Sequence, residues 1–104
     1  VIDRLPVFYV EGKILHGRDR GAQTLGEVDT QQVLDAIPEY EEWVTLNEDD
    51  ARYHLLRKHW QDAFNRVVRD VERNNSADCV VEYGGATSRL GPVPDWTQQA
   101  IDAL

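Results

Sequence analysis

The sequence predicts an α+β fold in which a small antiparallel-rich sheet body carries a helical hairpin arm and a C-terminal helix. Three observations predict it. An apolar stripe runs through Tyr53, Leu56, Trp60, Ala63, Phe64, Val67, Val68 and Val71 at helical spacing. Two runs of β-forming residues, Val7-Phe8-Tyr9-Val10 and Asp78 to Tyr83, are each followed within two residues by glycine. The chain of 104 residues suits one domain over 1–104, and no apolar run approaches the roughly 20 residues of a membrane span.

The first element read along the chain is a hairpin. Val7 to Val10 goes out, Glu11-Gly12 turns, and Lys13-Ile14-Leu15 returns. Glycine at the second turn position suits the positive φ that a two-residue turn needs. Residues 1–21 then form an N-terminal extension ending in the polar loop His16-Gly17-Arg18-Asp19-Arg20-Gly21. Leu25 to Val28 reads as a short strand. Asp29 or Thr30 caps a helix through Val33, Leu34 and Ile37, and Pro38 bends or restarts it. Tyr40, Trp43 and Val44 continue the apolar stripe.

Asn47 is a candidate N-cap, with Glu48, Asp49 and Asp50 where the helix dipole favours acids. The long helix is expected over about 48–74, roughly 40 Å at about 1.5 Å per residue. Arg52, His59, Arg66 and Arg73 recur on its opposite, wet face. Residues 30–75 thus make a helical arm. Asp78 to Tyr83 is a strand, Gly84-Gly85 breaks it, and Ala86 to Leu90 returns as its partner. After the turn Gly91-Pro92-Val93-Pro94, Asp95 caps a last helix with Trp96, Ala100, Ile101 and Leu104 as its apolar side.

Charge narrows the function. The net charge is -8, which repels a polyanion, so nucleic acid is not an expected partner. Residues 25–50 carry nine acids and no bases, whereas 51–74 carry six bases and three acids. The single cysteine, Cys79, excludes an internal disulfide and a multi-cysteine metal site, and its setting Cys79-Val80-Val81 reads as a buried strand. His16, Arg18 and Arg20 are the residue types of a phosphate or hydrolytic site, but Asp19 and the flanking glycines mark an ordinary loop. His54 and His59 are five apart, which points them away from each other on a helix. The acids Glu39, Glu41, Glu42, Glu48, Asp49 and Asp50 lack the spacing of a calcium loop. The stripe Arg52, His59, Arg66, Arg69 and Arg73 reads as a solvated face or a partner face. No nucleophile–base pairing appears, so the expectation is a non-enzyme with no cofactor and no metal. Tyr40, Trp43, Tyr53 and Trp60 gather near the bend of the arm and are the candidate partner contacts. Short, few strands are marginal alone, which predicts pairing between subunits.

Two blocks carry a resemblance. Ala22-Gln23-Thr24-Leu25-Gly26-Glu27-Val28-Asp29-Thr30-Gln31-Gln32-Val33-Leu34-Asp35-Ala36-Ile37-Pro38-Glu39-Tyr40 resembles the opening strand and first helix of the OmpH/Skp family of periplasmic chaperones. Ala77 to Ala86, followed by Asp95 to Leu104, is similar to that family's closing strands and C-terminal helix. The resemblance implies a homotrimer, export to the periplasm with a leader removed, unfolded outer-membrane or other partner proteins as clients, and no catalysis. About 36 residues separate Tyr40 from Ala77, which implies a short-armed variant of a family whose arms are long. On this reading Val28, Val80, Val81, Tyr83 and Ile101 hold the oligomer. The alternative is a monomeric acidic inhibitor or immunity-type protein whose segment 39–50 blocks a basic site on a partner.

Overall fold

The structure is a computed structural model and describes residues 7–104. Its elements are β1 (Phe8–Val10), β2 (Ile14–Gly17), β3 (Leu25–Val28), α1 (Thr30–Asp35), α2 (Pro38–Trp43), α3 (Tyr53–Asn74), β4 (Cys79–Glu82), β5 (Ala86–Ser88) and α4 (Thr97–Asp102). The α+β class is as expected, but the strand pairing is not.

β1 and β2 do not pair with each other. β2 lies antiparallel to β4, β3 lies parallel to β4, and β1 pairs antiparallel with β5. Residues 8–17 and 79–88 therefore run as one long antiparallel ribbon. Across its middle, the Glu11 and Gly12 N–H groups donate to the Gly85 carbonyl at 2.8 and 2.9 Å, and the Glu82 N–H donates to the Lys13 carbonyl at 2.8 Å. The predicted Glu11-Gly12 turn is instead a crossing point. An ideal Cβ on Gly12 would fall 2.6 Å from the Cα of Gly85, so the two backbones meet there because neither carries a side chain. The predicted β4–β5 hairpin fails for the same reason: β5 takes β1 as its partner.

The ribbon folds β1 and β5 over one face of the three-stranded sheet, where Phe8, Val10, Ala86 and Val93 pack on Leu25, Cys79 and Val81. The helices cover the other face, where Val28 and Val80 join Val33, Leu34, Ile37, Val67, Val68, Val71, Trp96 and Ala100. Burial on both faces explains why β3 and most of β4 are continuously buried rather than alternating. Each fully buried aliphatic side chain contributes about 1.5–3 kcal/mol. The outer edge of β3 is closed by the chain itself: the Glu27 N–H donates to the Pro94 carbonyl at 2.9 Å, and the Trp96 N–H to the Glu27 carbonyl at 2.7 Å.

The helix signals act as their chemistry dictates at two points. Asp29 caps α1 by accepting the Gln32 N–H, and Pro38 opens α2 as its first residue. The long helix begins at Tyr53, five residues after its expected start. Asp50 is the cause: its carboxylate accepts the Arg52 N–H at 2.8 Å, which closes a side-chain turn that competes with helix. Residues 44–52 accordingly form successive turns at the tip of a finger made by α2 and α3. No helix among the described residues is long and apolar enough to cross a membrane.

The expected oligomer interface needs correction. Val28, Val80 and Val81 are fully buried by their own chain, so they have no surface to offer a second copy. Tyr83, at 58% exposure, and the half-buried Ile101 retain some.

Candidate functional site

The finger holds the four aromatic residues singled out from the sequence, and brings them together. Tyr40 and Trp43 come from α2, Tyr53 and Trp60 from α3. Ring centroids lie 5.3 Å apart for Trp43–Tyr53, 5.0 Å for Trp43–Trp60 and 5.1 Å, edge to face, for Tyr40–Trp60. Pairs of this geometry contribute about 0.5–1.5 kcal/mol each beyond burial. The stack clamps α2 to α3, yet all four rings remain partly exposed. The indole nitrogens of Trp43 and Trp60 are covered and have no hydrogen-bond partner among the described residues. The reason is one-sided packing. Only Val67, Val68 and Val71 of α3 are fully buried, and none of them lies in its first half. Beyond the stack, Val44 and Leu55 stand exposed at 53% and 56%.

Acids rim this tip. Glu42 bonds Arg52 at 2.9 Å and Asp50 bonds the same guanidinium at 3.3 Å. The side-chain bond to Arg52 holds the Asp50 carboxyl below its ordinary value, and Asp50 in turn raises the Arg52 guanidinium. Glu41, Glu48 and Asp49 are exposed without an ion pair among the described residues.

A groove adjoins the finger at Trp60. It runs along α3 as two adjacent hollows that share Asn65, one of about 500 Å³ between α1, Lys13 and α3, and one of about 320 Å³ between β2 and α3. The larger is lined by Lys13, Thr30, Leu34, Trp60, Gln61, Phe64 and Asn65; the smaller by Leu15, His16, Asp62, Asn65 and Arg69. The register of β2 against β4 shifts between Ile14 and His16. That bulge turns neighbouring side chains toward the helix: Leu15 packs on the helical core, and His16 Nδ1 lies 2.9 Å from Glu72 Oε2 on α3.

Other predicted residues lie apart. Arg18 and Arg20 are exposed in the loop after β2, and only His16 of that trio enters the groove. His54 and His59 are both exposed, His54 edge to face with Tyr53. Arg52, Arg66 and Arg73 lie on the exposed face of α3, whereas Arg69 turns to the groove. Cys79 is fully buried, and burial, reinforced by the charges of Asp19, Glu72 and Asp78, pushes its thiol up to about 11. Among the described residues no group of three or more His, Cys, Asp or Glu is placed to hold a metal ion.

Sequence reasoning missed the groove residues Lys13, Phe64, Asn65 and Arg69 as a set. Phe64, Asn65 and Arg69 share α3, but Lys13 joins them only through the β2–β4 pairing, which carries no local signal. It also missed Glu27, a buried carboxylate that accepts the Gly84 N–H at 2.5 Å and pins the bend of the ribbon.

Comparison of the chain with family models, with curated proteins and with solved structures finds no match in any of the three.

Proposed function

We propose that this chain is a non-catalytic protein-binding domain of the chaperone type, a short-armed relative of the OmpH/Skp family that holds non-native or partner proteins on its helical finger. The observation that carries the reading is the half-covered aromatic seam. Tyr40, Trp43, Tyr53 and Trp60 pack on one another but keep surface, and the exposed Val44 lies beside Tyr40 and extends that apolar surface toward the tip. Apolar surface rimmed by charge is the pattern of a contact site. The order strand, helix, helical arm, strands, helix from β3 to α4 is the order expected from the resemblance, which supports the family assignment and, with it, a periplasmic location. A homotrimer is part of the family reading, and in this chain it would rest on Tyr83 and Ile101 rather than on the buried valines.

The test is suppression of aggregation of an unfolded outer-membrane β-barrel protein diluted from urea. The intact chain suppresses scattering in a dose-dependent way, and the variant Val44→Asp loses most of that effect while its circular dichroism is unchanged. Equal suppression by chain and variant, or none by either, would refute the finger as the site.

A second reading is favoured by one observation: the tip bears exposed acids with no ion pair among the described residues. A monomeric acidic inhibitor uses such a tip to cover a basic site. It predicts a tight one-to-one complex weakened steeply by salt, whereas apolar capture of unfolded chains changes little with salt.

A further inference from the structure

The next inference rests on the protein-binding reading and specifies where, and in what conformation, a bound segment sits. β2 is an edge strand. β4 pairs with its inner side, and among the described residues no backbone group pairs with its outer side. The opposite edge of the sheet, on β3, is closed by residues 94–96. An open edge is a template for main-chain hydrogen bonds from an added strand. Here α3 stands alongside and supplies a side wall. Trp60, Phe64 and Leu34 make one end of the groove apolar.

Charge selects the occupant. Asp62 is paired with Lys58 at 3.2 Å and Glu72 with His16 at 2.9 Å. Lys13 and Arg69, at the two ends of the groove, have no ion pair among the described residues. In a chain of net charge -8 this groove therefore presents two uncompensated cations. A second copy is a poor match for it. Antiparallel pairing of β2 with itself about its centre sets Lys13 of one copy opposite Arg18 of the other, and like charges in cross-strand positions repel. We infer that β2 and α3 form a docking groove for an extended segment of another protein. The segment adds beside β2 as a strand, seats an apolar side chain against Trp60 and Phe64, and sets carboxylates near Lys13 and Arg69.

The experiment is fluorescence anisotropy of the intact chain with a labelled peptide of alternating valine and threonine, one central phenylalanine and a glutamate at each end. Two control peptides replace the glutamates by lysines or methylate alternate backbone nitrogens. The acidic peptide binds saturably. The lysine-ended and N-methylated peptides bind about tenfold more weakly, a factor that corresponds to one lost charge pair or hydrogen bond. Arg69→Glu weakens the acidic peptide about tenfold and improves the lysine-ended one, with unchanged circular dichroism. Equal binding of the N-methylated peptide overturns strand addition and leaves protein binding standing. No binding of any peptide, with aggregation suppression intact, overturns the groove alone; loss of both overturns the protein-binding reading as well. A self-associated species whose β2 amides gain hydrogen-exchange protection assigns the edge to a second copy and overturns the proposal.

Discussion

The indole of Trp96 occupies the space that a side chain on Gly26 would need: an ideal Cβ at Gly26 would fall 2.2 Å from Cε3 of the ring. Trp96 is buried in the helical core, and its N–H closes the edge of β3 on Glu27. One glycine thus lets the C-terminal helix seal both the core and the sheet edge. Gly26→Ala is expected to lower stability by about 1–3 kcal/mol, the range for overpacking a filled core. A urea melt measures it, and an unchanged midpoint would refute the packing described.

Cys79 has no exposed surface and its thiol is pushed up to about 11, mainly by burial. The thiolate is the reactive form. The native chain is expected to resist a maleimide at pH 8 and to react rapidly in denaturant. Fast reaction of the native chain would place Cys79 elsewhere than inside the sheet.

Asp78 ties the loop before β3 to the start of β4. Its carboxylate accepts the Gln23 N–H at 2.8 Å and the Thr24 N–H at 3.2 Å, and these bonds, Gln23 first, hold its carboxyl below the ordinary value. The folded value lies below the unfolded one, so the stabilisation is present above about pH 4 and fades as pH falls through the folded value. Asp78→Asn should therefore be less stable than the parent at pH 7, with the gap closing in acid. Parallel urea melts across pH 7 to 3 check this; a gap that widens in acid contradicts it.

Finger and body should respond separately. Val44 is exposed beside Tyr40, and Val44→Asp is expected to change stability by no more than about 0.5 kcal/mol while weakening client binding. Ile37, nearly fully buried beneath α2, anchors the body, and Ile37→Ala should cost about 2–5 kcal/mol. A thermal melt paired with aggregation suppression distinguishes the two effects.

How much of this could be read in advance follows the range of each interaction. Asp29, Pro38 and the stripe from Tyr53 to Val71 act within a turn or two of helix, and they were legible. The start of α3 differs from expectation because Asn47 has the chemistry of a cap but does not act as one; Asp50 closes a turn on the Arg52 N–H, and the helix begins at Tyr53 with no side-chain cap. Strand pairing was not legible. Glu11-Gly12 carries the local signature of a turn, but β1 pairs with β5 and sets Phe8 and Val10 against Leu25 and Val81, a long-range pairing with no local signal. The same long-range pairing placed Val28, Val80 and Val81 inside one chain and assembled the groove from β2 and α3. The four aromatics of the finger were found because helical spacing alone aligns them.

The most direct test follows backbone amide resonances of the isotope-labelled chain on adding an unfolded outer-membrane β-barrel protein. The account predicts perturbation concentrated in residues 40–60 and along the β2–α3 groove, with β3 and α4 unchanged. No perturbation at saturating client, or changes confined to β3 and α4, would contradict it.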